Sequence, residues 1–478
     1  MNWRGIWSWF VAAALVSPLS WRLFVIQNKP VDVIPSDVLL LALPVWFWQR
    51  RSRVDTTEGP LATEAMWLRR LALWLVIYCG FLALAGGLPS GDVVRVLSAA
   101  RFVKPILYVW IGSWLATAAS PGEMLRRIGW SFAGTALVWG VSTVGGTDFP
   151  ETAWGCHWLG LPVLGFPNTA MTFAAAMLPL LLAVTESAGR RFSRSVAALA
   201  VAVAFVLVVC SLSRCAAVVM VSGVTVYFLL TGGRWAPIGL ASVAVLSVGT
   251  GYSLLVLQSE AIGERHPTLQ ERAAHRFVHP VNPDSGALAG RSAIWNETWE
   301  LIASRPLWGY RFDPYSRRAA FDTPHQQYLE VLYKTGFAGL AMYAGLLGIG
   351  LVGLTRLGGI VGDLGVSDCA GIHAGVVRPA GWGASAGRLR GLRRFLRPDQ
   401  PIGDAQRLMA ATCGLLCGVL IGNLSQANLT FSLTGNFVFL LLGLVVHPRF
   451  VEFLAADKSS AEGVISEKQD ASAGRRAA

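Results

Sequence analysis

The chain has 478 residues, of which 54% are hydrophobic and only 14% charged, and its mean hydropathy is +0.50. A soluble domain carries roughly 25% charged residues, so the composition excludes a string of water-soluble domains and predicts a polytopic helical membrane protein. Basic residues outnumber acidic ones by 40 to 28, a net charge of +12, and arginine-rich cytoplasmic loops account for that excess without a nucleic-acid partner.

Taken in chain order, the apolar runs predict about twelve spans, near residues 5–21, 35–49, 69–88, 102–119, 127–145, 168–185, 195–212, 215–231, 236–256, 326–353, 407–425 and 431–447. The first has Arg4 in front of it, but Trp21-Arg22 follows where a cleavable signal would have small residues, so it reads as a retained span. Residues 91–101, with Asp92, Arg95 and Arg101, read as an interfacial helix leading into the fourth span. Arg50, Arg51, Arg53, Arg69, Arg70, Arg126, Arg127, Arg190, Arg191, Arg194, Arg234 and the arginines of 354–406 all fall on one side if both termini are cytoplasmic. This divides the chain into spans one to nine (1–257), a large periplasmic loop (258–325), and the last three spans (326–447) with a basic cytoplasmic loop at 354–406. A polar tail, 448–478, is expected to be disordered. The basic loop is suited to anionic lipid headgroups.

Seven cysteines form no framework. Cys79, Cys210, Cys413 and Cys417 lie in apolar runs, Cys156 stands alone in a polar segment, and no CxxC spacing points to zinc. His266, His275 and His279 have no carboxylates at metal-ligand spacing, so no metal site and no cofactor is predicted. Asp148, Glu151 and His157 read as a solvated outer loop, or as part of the lining of a shared cavity.

The periplasmic loop and its flanks carry the chemistry. Ile294, Trp295, Trp299 and Ile302 recur at helical spacing between a cap at Asp284 or Ser285 and a stop at Pro306, which predicts an amphipathic helix on the outer membrane boundary. Arg291 sits beside that stripe, either as a phosphate ligand or as an ordinary snorkelling arginine. Thr323-Pro324-His325-Gln326 reads as N-cap, N1, N2 and N3 of the tenth span. A histidine there meets the positive end of the helix dipole, which attracts phosphate and biases the imidazole to its neutral, proton-accepting form; the plainer alternative is a helix-end hydrogen bond. Arg214, in Ser211-Leu212-Ser213-Arg214, faces outward with almost no loop around it, against the charge trend, and is either a functional arginine or a turn residue reaching lipid. Arg305, Arg311, Arg317 and Arg318 would enlarge the positive field, with Arg311 a further candidate substrate contact. Asn168, after Pro167, either caps the sixth span or offers its amide to substrate.

Three elements in order resemble the O-antigen ligase/polymerase superfamily of bacterial envelope glycosyltransferases. They are Gly165-Phe166-Pro167-Asn168, then Ser211-Leu212-Ser213-Arg214, then Gly290-Arg291 through Trp295, Pro306-Leu307-Trp308-Gly309 and His325-Gln326-Gln327-Tyr328-Leu329 to Gly336 and Gly339-Leu340. The pattern spans about residues 100–445; Cys215-Ala216 and Gln326 depart from the usual residues. The resemblance implies a GT-C-like fold of about twelve helices and metal-independent, inverting transfer of a glycan from an undecaprenyl-diphosphate carrier at the periplasmic face of the inner membrane. It implies His325 as base and Arg214 and Arg291 as diphosphate ligands. The acceptor would be the lipid A core for a ligase, or a growing glycan on the same carrier for an O-antigen or exopolysaccharide polymerase; transfer to protein is a further option. A transporter of twelve spans would place its main loop after span six, whereas the long loops here follow spans nine and ten.

Overall fold

The computed structural model describes residues 3–17, 21–26, 29–41, 43–44, 61–87, 92–145, 157–158, 161–162, 167–210, 213–231, 286–319, 323–324, 326–364, 403–424 and 433–454. The helices are α1 (Trp3–Val16), α2 (Ala62–Gly87), α3 (Val93–Ala118), α4 (Pro121–Gly145), α5 (Pro167–Ser187), α6 (Arg191–Cys210), α7 (Arg214–Thr231), α8 (Gly286–Ser304), α9 (Gln327–Leu364), α10 (Asp404–Gly422) and α11 (Leu433–Val445). Among the described residues, five helices are long and apolar enough to cross a membrane, or seven if each sharply bent pair counts as one span; two shorter apolar helices add to these. That fits a multi-pass membrane protein. The ninth expected span, 236–256, lies outside the described residues, as do the basic loop beyond 364 and the tail beyond 454.

The described residues are overwhelmingly helical, as expected, with two short antiparallel hairpins between helices: β1 (Trp21–Ile26) with β2 (Lys29–Val33), and β3 (His157–Trp158) with β4 (Leu161–Pro162). Two expectations are corrected. The start of the second expected span is a 3-10 helix, Pro35–Leu41. Asp37 fixes it there: its carboxylate takes the Ile34 N–H at 3.1 Å and the Lys104 ammonium at 3.1 Å. Residues 91–101 are not a separate interfacial helix; Asp92 caps α3 through the Val94 N–H, and the helix runs unbroken to Ala118.

The core lies around α11, whose residues are buried throughout, with α3 crossing it so closely that the Ser113 hydroxyl reaches the Gly443 carbonyl. α7 and α10 pack backbone to backbone: a Cβ on Gly223 would lie 3.0 Å from the Gly414 carbonyl oxygen. Such small-residue seams let apolar helices approach when lipid supplies no hydrophobic drive.

The two ends of this bundle differ. At one end Arg356 pairs with Glu64, Arg126 with Asp404 and Arg407 with Glu186. This is the end that also carries Arg190, Arg191 and Arg194, at the α5–α6 turn. Helix direction then puts the start of α5, the start of α7, the start of α9 and the end of α10 together at the other.

Candidate functional site

That second end is organised by a break in α9. Gly336 has φ 68° and ψ −173°, a conformation closed to other residues, and it splits the helix into 327–335 and the long remainder. Breaking a helix frees backbone groups that need new partners. Here the loop after α8 supplies them. The Phe337 N–H donates to the Pro306 carbonyl at 2.8 Å, and the Tyr310 N–H donates to the Tyr333 carbonyl at 2.7 Å. The Tyr78 hydroxyl of α2 donates to the Thr335 carbonyl at 2.8 Å. Gly309, also at positive φ, makes the fit reciprocal: a Cβ there would lie 2.5 Å from the Tyr333 carbonyl oxygen, and one on Gly336 2.6 Å from the Trp308 nitrogen. The spaced glycines of the sequence are therefore the two halves of one plug.

Aromatic packing holds the plug. Tyr310 stacks on Tyr333 with ring centroids 4.9 Å apart, and Tyr315 meets Tyr333 edge-on at 5.1 Å. Ile302 of α8 buries itself in this cluster, Trp295 and Leu301 pack against it, and Thr298 hydrogen-bonds the Tyr315 hydroxyl at 2.7 Å. The expected lipid-facing stripe of α8 is thus divided. Ile294 and Ile302 are buried, Ile302 among the tyrosines of the plug, while Trp299 stays exposed.

Charge locks the same loop to the α2–α3 turn. Asp313 is 2% exposed and accepts Arg318 at 3.0 Å, Arg95 at 3.1 Å and Arg317 at 3.3 Å. Asp92 accepts Arg95 at 3.2 Å and also Arg317. The Arg317 hydrogen bond holds the Asp92 carboxyl below the usual aspartate range, and Arg317 is raised in turn, chiefly by Asp92. Arg317 and Arg318 therefore do not contribute a free positive field; their charge is spent on Asp92 and Asp313. Arg305 lies over the Tyr310 ring, 5.1 Å from its centroid.

The motif-bearing ends converge through their neighbours. The Trp295 indole N–H of α8 donates to the Pro324 carbonyl at 3.2 Å, tying the helix that carries Arg291 to the residue before position 325. The Gln327 N–H donates to the Asn423 carbonyl at 3.2 Å, tying the start of α9 to the end of α10. The Cys215 thiol reaches the Gly422 carbonyl at 3.5 Å, tying the start of α7, where Arg214 is the first residue, to that same end. Ser213 caps α7, its hydroxyl taking the Ala216 N–H at 3.3 Å. Asn168 lies in the first turn of α5, inside the helix and not at its cap. His325 lies outside the described residues.

Arg311 is placed differently. It occupies a left-handed turn with Phe312, at φ 52° and 64°, packed against Gly86 at the Gly336 end of segment 327–335. Arg311 thus packs at the Gly336 end of segment 327–335, whereas Asn423 holds the Gln327 start. The start of α9 is also shifted from the expected capping pattern. The helix begins at Gln327, and the Gln326 side chain, not Thr323, takes an N–H of the first turn, that of Leu329. Among the described residues no cluster of histidine, cysteine or carboxylate side chains is arranged to hold a metal ion.

Asp313 and Asn423 were missed in the sequence. Asp313 had a signal, a lone acid among four arginines between 305 and 318. Asn423 had none, since it reads as a polar residue closing a span.

A family model described as O-antigen ligase matches residues 199–344, from within α6 to within α9. This segment is similar to the O-antigen ligase family, and the match supports that superfamily. It contains Arg214, Arg291, Arg311 and position 325, and it excludes Asn168 and α10. No curated protein matches the chain. The family implies a membrane enzyme of glycosyltransferase type, acting on a glycan donor and acceptor in a lipid setting.

Proposed function

We propose that this O-antigen ligase-family protein is an inverting glycosyltransferase of the bacterial inner membrane, with about twelve spans, both termini cytoplasmic and its site on the periplasmic face. The donor is a glycan on undecaprenyl diphosphate, and the acceptor is a sugar hydroxyl of the lipid A core. His325 accepts the proton of that hydroxyl as its oxygen attacks the anomeric carbon from the face opposite the diphosphate. The anomeric C–O bond breaks, and the diphosphate leaves on its lipid. Arg214 and Arg291 hold the negative charge that develops there, a fixed electrostatic contribution that needs no rearrangement during reaction.

The observation that supports this reading is the meeting of four helices, α7, α8, α9 and α10, through Trp295 with Pro324, Gln327 with Asn423, and Cys215 with Gly422. Each contact lies within four residues of a motif residue. The test is a gel of envelope glycolipids from a deletion strain complemented with wild type or His325→Ala. A ligase leaves bare lipid A core and long chains on the carrier. A polymerase, the second reading, leaves single repeat units on the core with no ladder. General-base catalysis contributes about 10²–10⁴-fold, so His325→Ala should lose activity by that factor. Near-wild-type turnover by the variant rejects the base assignment.

A further inference from the structure

Asn423 closes α10 between the two helix starts of the site. It is 0% exposed. Its backbone is fully used: the N–H donates to the Val419 carbonyl at 2.9 Å, and the carbonyl accepts the Gln327 N–H. Its side chain is not. Among the described residues, neither Oδ1 nor Nδ2 of Asn423 has a hydrogen-bond partner. A buried amide left unmade forfeits the hydrogen bonds it had in water, and native proteins keep few such groups without a reason. The neighbours supply the reason. Gly422 receives the Cys215 thiol next to Arg214, and the residue held by the Asn423 carbonyl lies two positions after His325. Asn423 therefore closes α10 beside the starts of α7 and α9, the two helix starts that the glycan-transfer reading uses.

We propose that Asn423 binds a hydroxyl-bearing sugar ring of the substrate. This rests on the glycan-transfer reading of the site. The chemistry of the amide selects the ligand class. It offers one donating and one accepting edge. Diphosphate oxygens only accept, and would leave Oδ1 unmade; a polyprenyl tail does neither. A sugar hydroxyl both donates and accepts, and a pair of adjacent hydroxyls meets both edges of the amide at once. Asn423 is thus a specificity residue that reads the sugar while the arginines read the phosphate, and it lies on a helix outside the family-matched segment.

The experiment uses the purified full chain in nanodiscs and two probes: lipid-linked glycan extracted from membranes of the cells that make the protein, and bare undecaprenyl diphosphate. The variant is Asn423→Leu, close in volume and without polar atoms. Loss of two hydrogen bonds to sugar weakens binding of the glycan-bearing probe by about 10- to 100-fold. Binding of the bare diphosphate stays within about twofold. The melting temperature of the empty protein stays level or rises, because the variant removes unmade buried polar atoms.

A purely structural asparagine gives the opposite pattern, with lower Tm and equal loss for both probes, and that result overturns the proposal. So does unchanged binding of the glycan-bearing probe. Arg214→Ala and Arg291→Ala, measured beside it, test the underlying reading separately. If neither weakens bare undecaprenyl diphosphate, the anion site is wrong, whatever Asn423 does.

Discussion

Replacing Gly336 by alanine tests the plug directly. At φ 68° and ψ −173° the backbone is in a region reserved for glycine, and holding another residue there costs about 1–3 kcal/mol. The added methyl would also meet the Trp308 nitrogen at 2.6 Å and the Leu307 carbonyl more closely still, and both are backbone atoms that cannot swing away. Relief requires the loop to lift, which gives up the Phe337–Pro306 and Tyr310–Tyr333 hydrogen bonds. At about 1 kcal/mol each, these bring the total to about 3–5 kcal/mol, or roughly 10²–10⁴-fold in the docking equilibrium of the loop. Gly348→Ala is the control. It lies in the same helix with nothing within 4 Å of its new methyl, and should be neutral or stabilise by about 0.5–1 kcal/mol. The assays are limited proteolysis of residues 305–319 and the rate of glycan transfer, both on protein in nanodiscs. Gly336→Ala should be cut rapidly and transfer poorly, while Gly348→Ala matches wild type. If the two variants behave alike, the plug does not hold the loop.

Three further outcomes follow from the charges. Asp313→Asn removes the buried acceptor shared by Arg95, Arg317 and Arg318, and should destabilise the loop by about 2–3 kcal/mol, read as protease sensitivity confined to 305–319; an unchanged cleavage pattern would mean the clasp is idle. The Asp92 carboxyl is held below its unfolded value near ~3.9, so the stability it contributes is complete above that pH and is lost as pH falls through the lower, folded value. The Tm advantage of wild type over Asp92→Asn should therefore be flat from about pH 8 to 5 and shrink towards pH 3; because Arg317 is 45% exposed, it amounts to only about 0.2–1 kcal/mol, and an advantage that grew on acidification would refute the assignment. Lys334→Met removes the ammonium that lies 2.5 Å from the buried Glu330 carboxyl and should cost about 3–5 kcal/mol, whereas Lys334→Met with Glu330→Gln should recover much of it. Equal melting of the single and double variants would remove the pair from the energetics of the site.

Much was legible in the residues alone. Few charges among long apolar runs specify membrane helices, because unpaired backbone polar groups are too costly in hydrocarbon, and ten of the described helices fall on or beside runs read from the sequence. The arginine bias correctly grouped the α4 start, the α5–α6 turn and Arg356 at one end of the bundle. The spaced motif pointed to the family that the 199–344 match supports. The helix at 286–304 was legible from its period, but the partner of each face was not.

What only the tertiary structure decided depends on pairings between residues far apart in the chain. Arg317 looks like a free cation until Asp92, more than two hundred positions away, is brought against it. Gly309 and Gly336 look like separate flexible points until each is seen to leave room for the backbone of the other. Asn423 looks like a helix end until its carbonyl is found holding the start of α9 while its amide holds nothing among the described residues. Periodicity and composition report how each segment meets lipid or water. Which buried polar groups find partners, and which do not, is fixed only when helix ends from different parts of the chain close on one another.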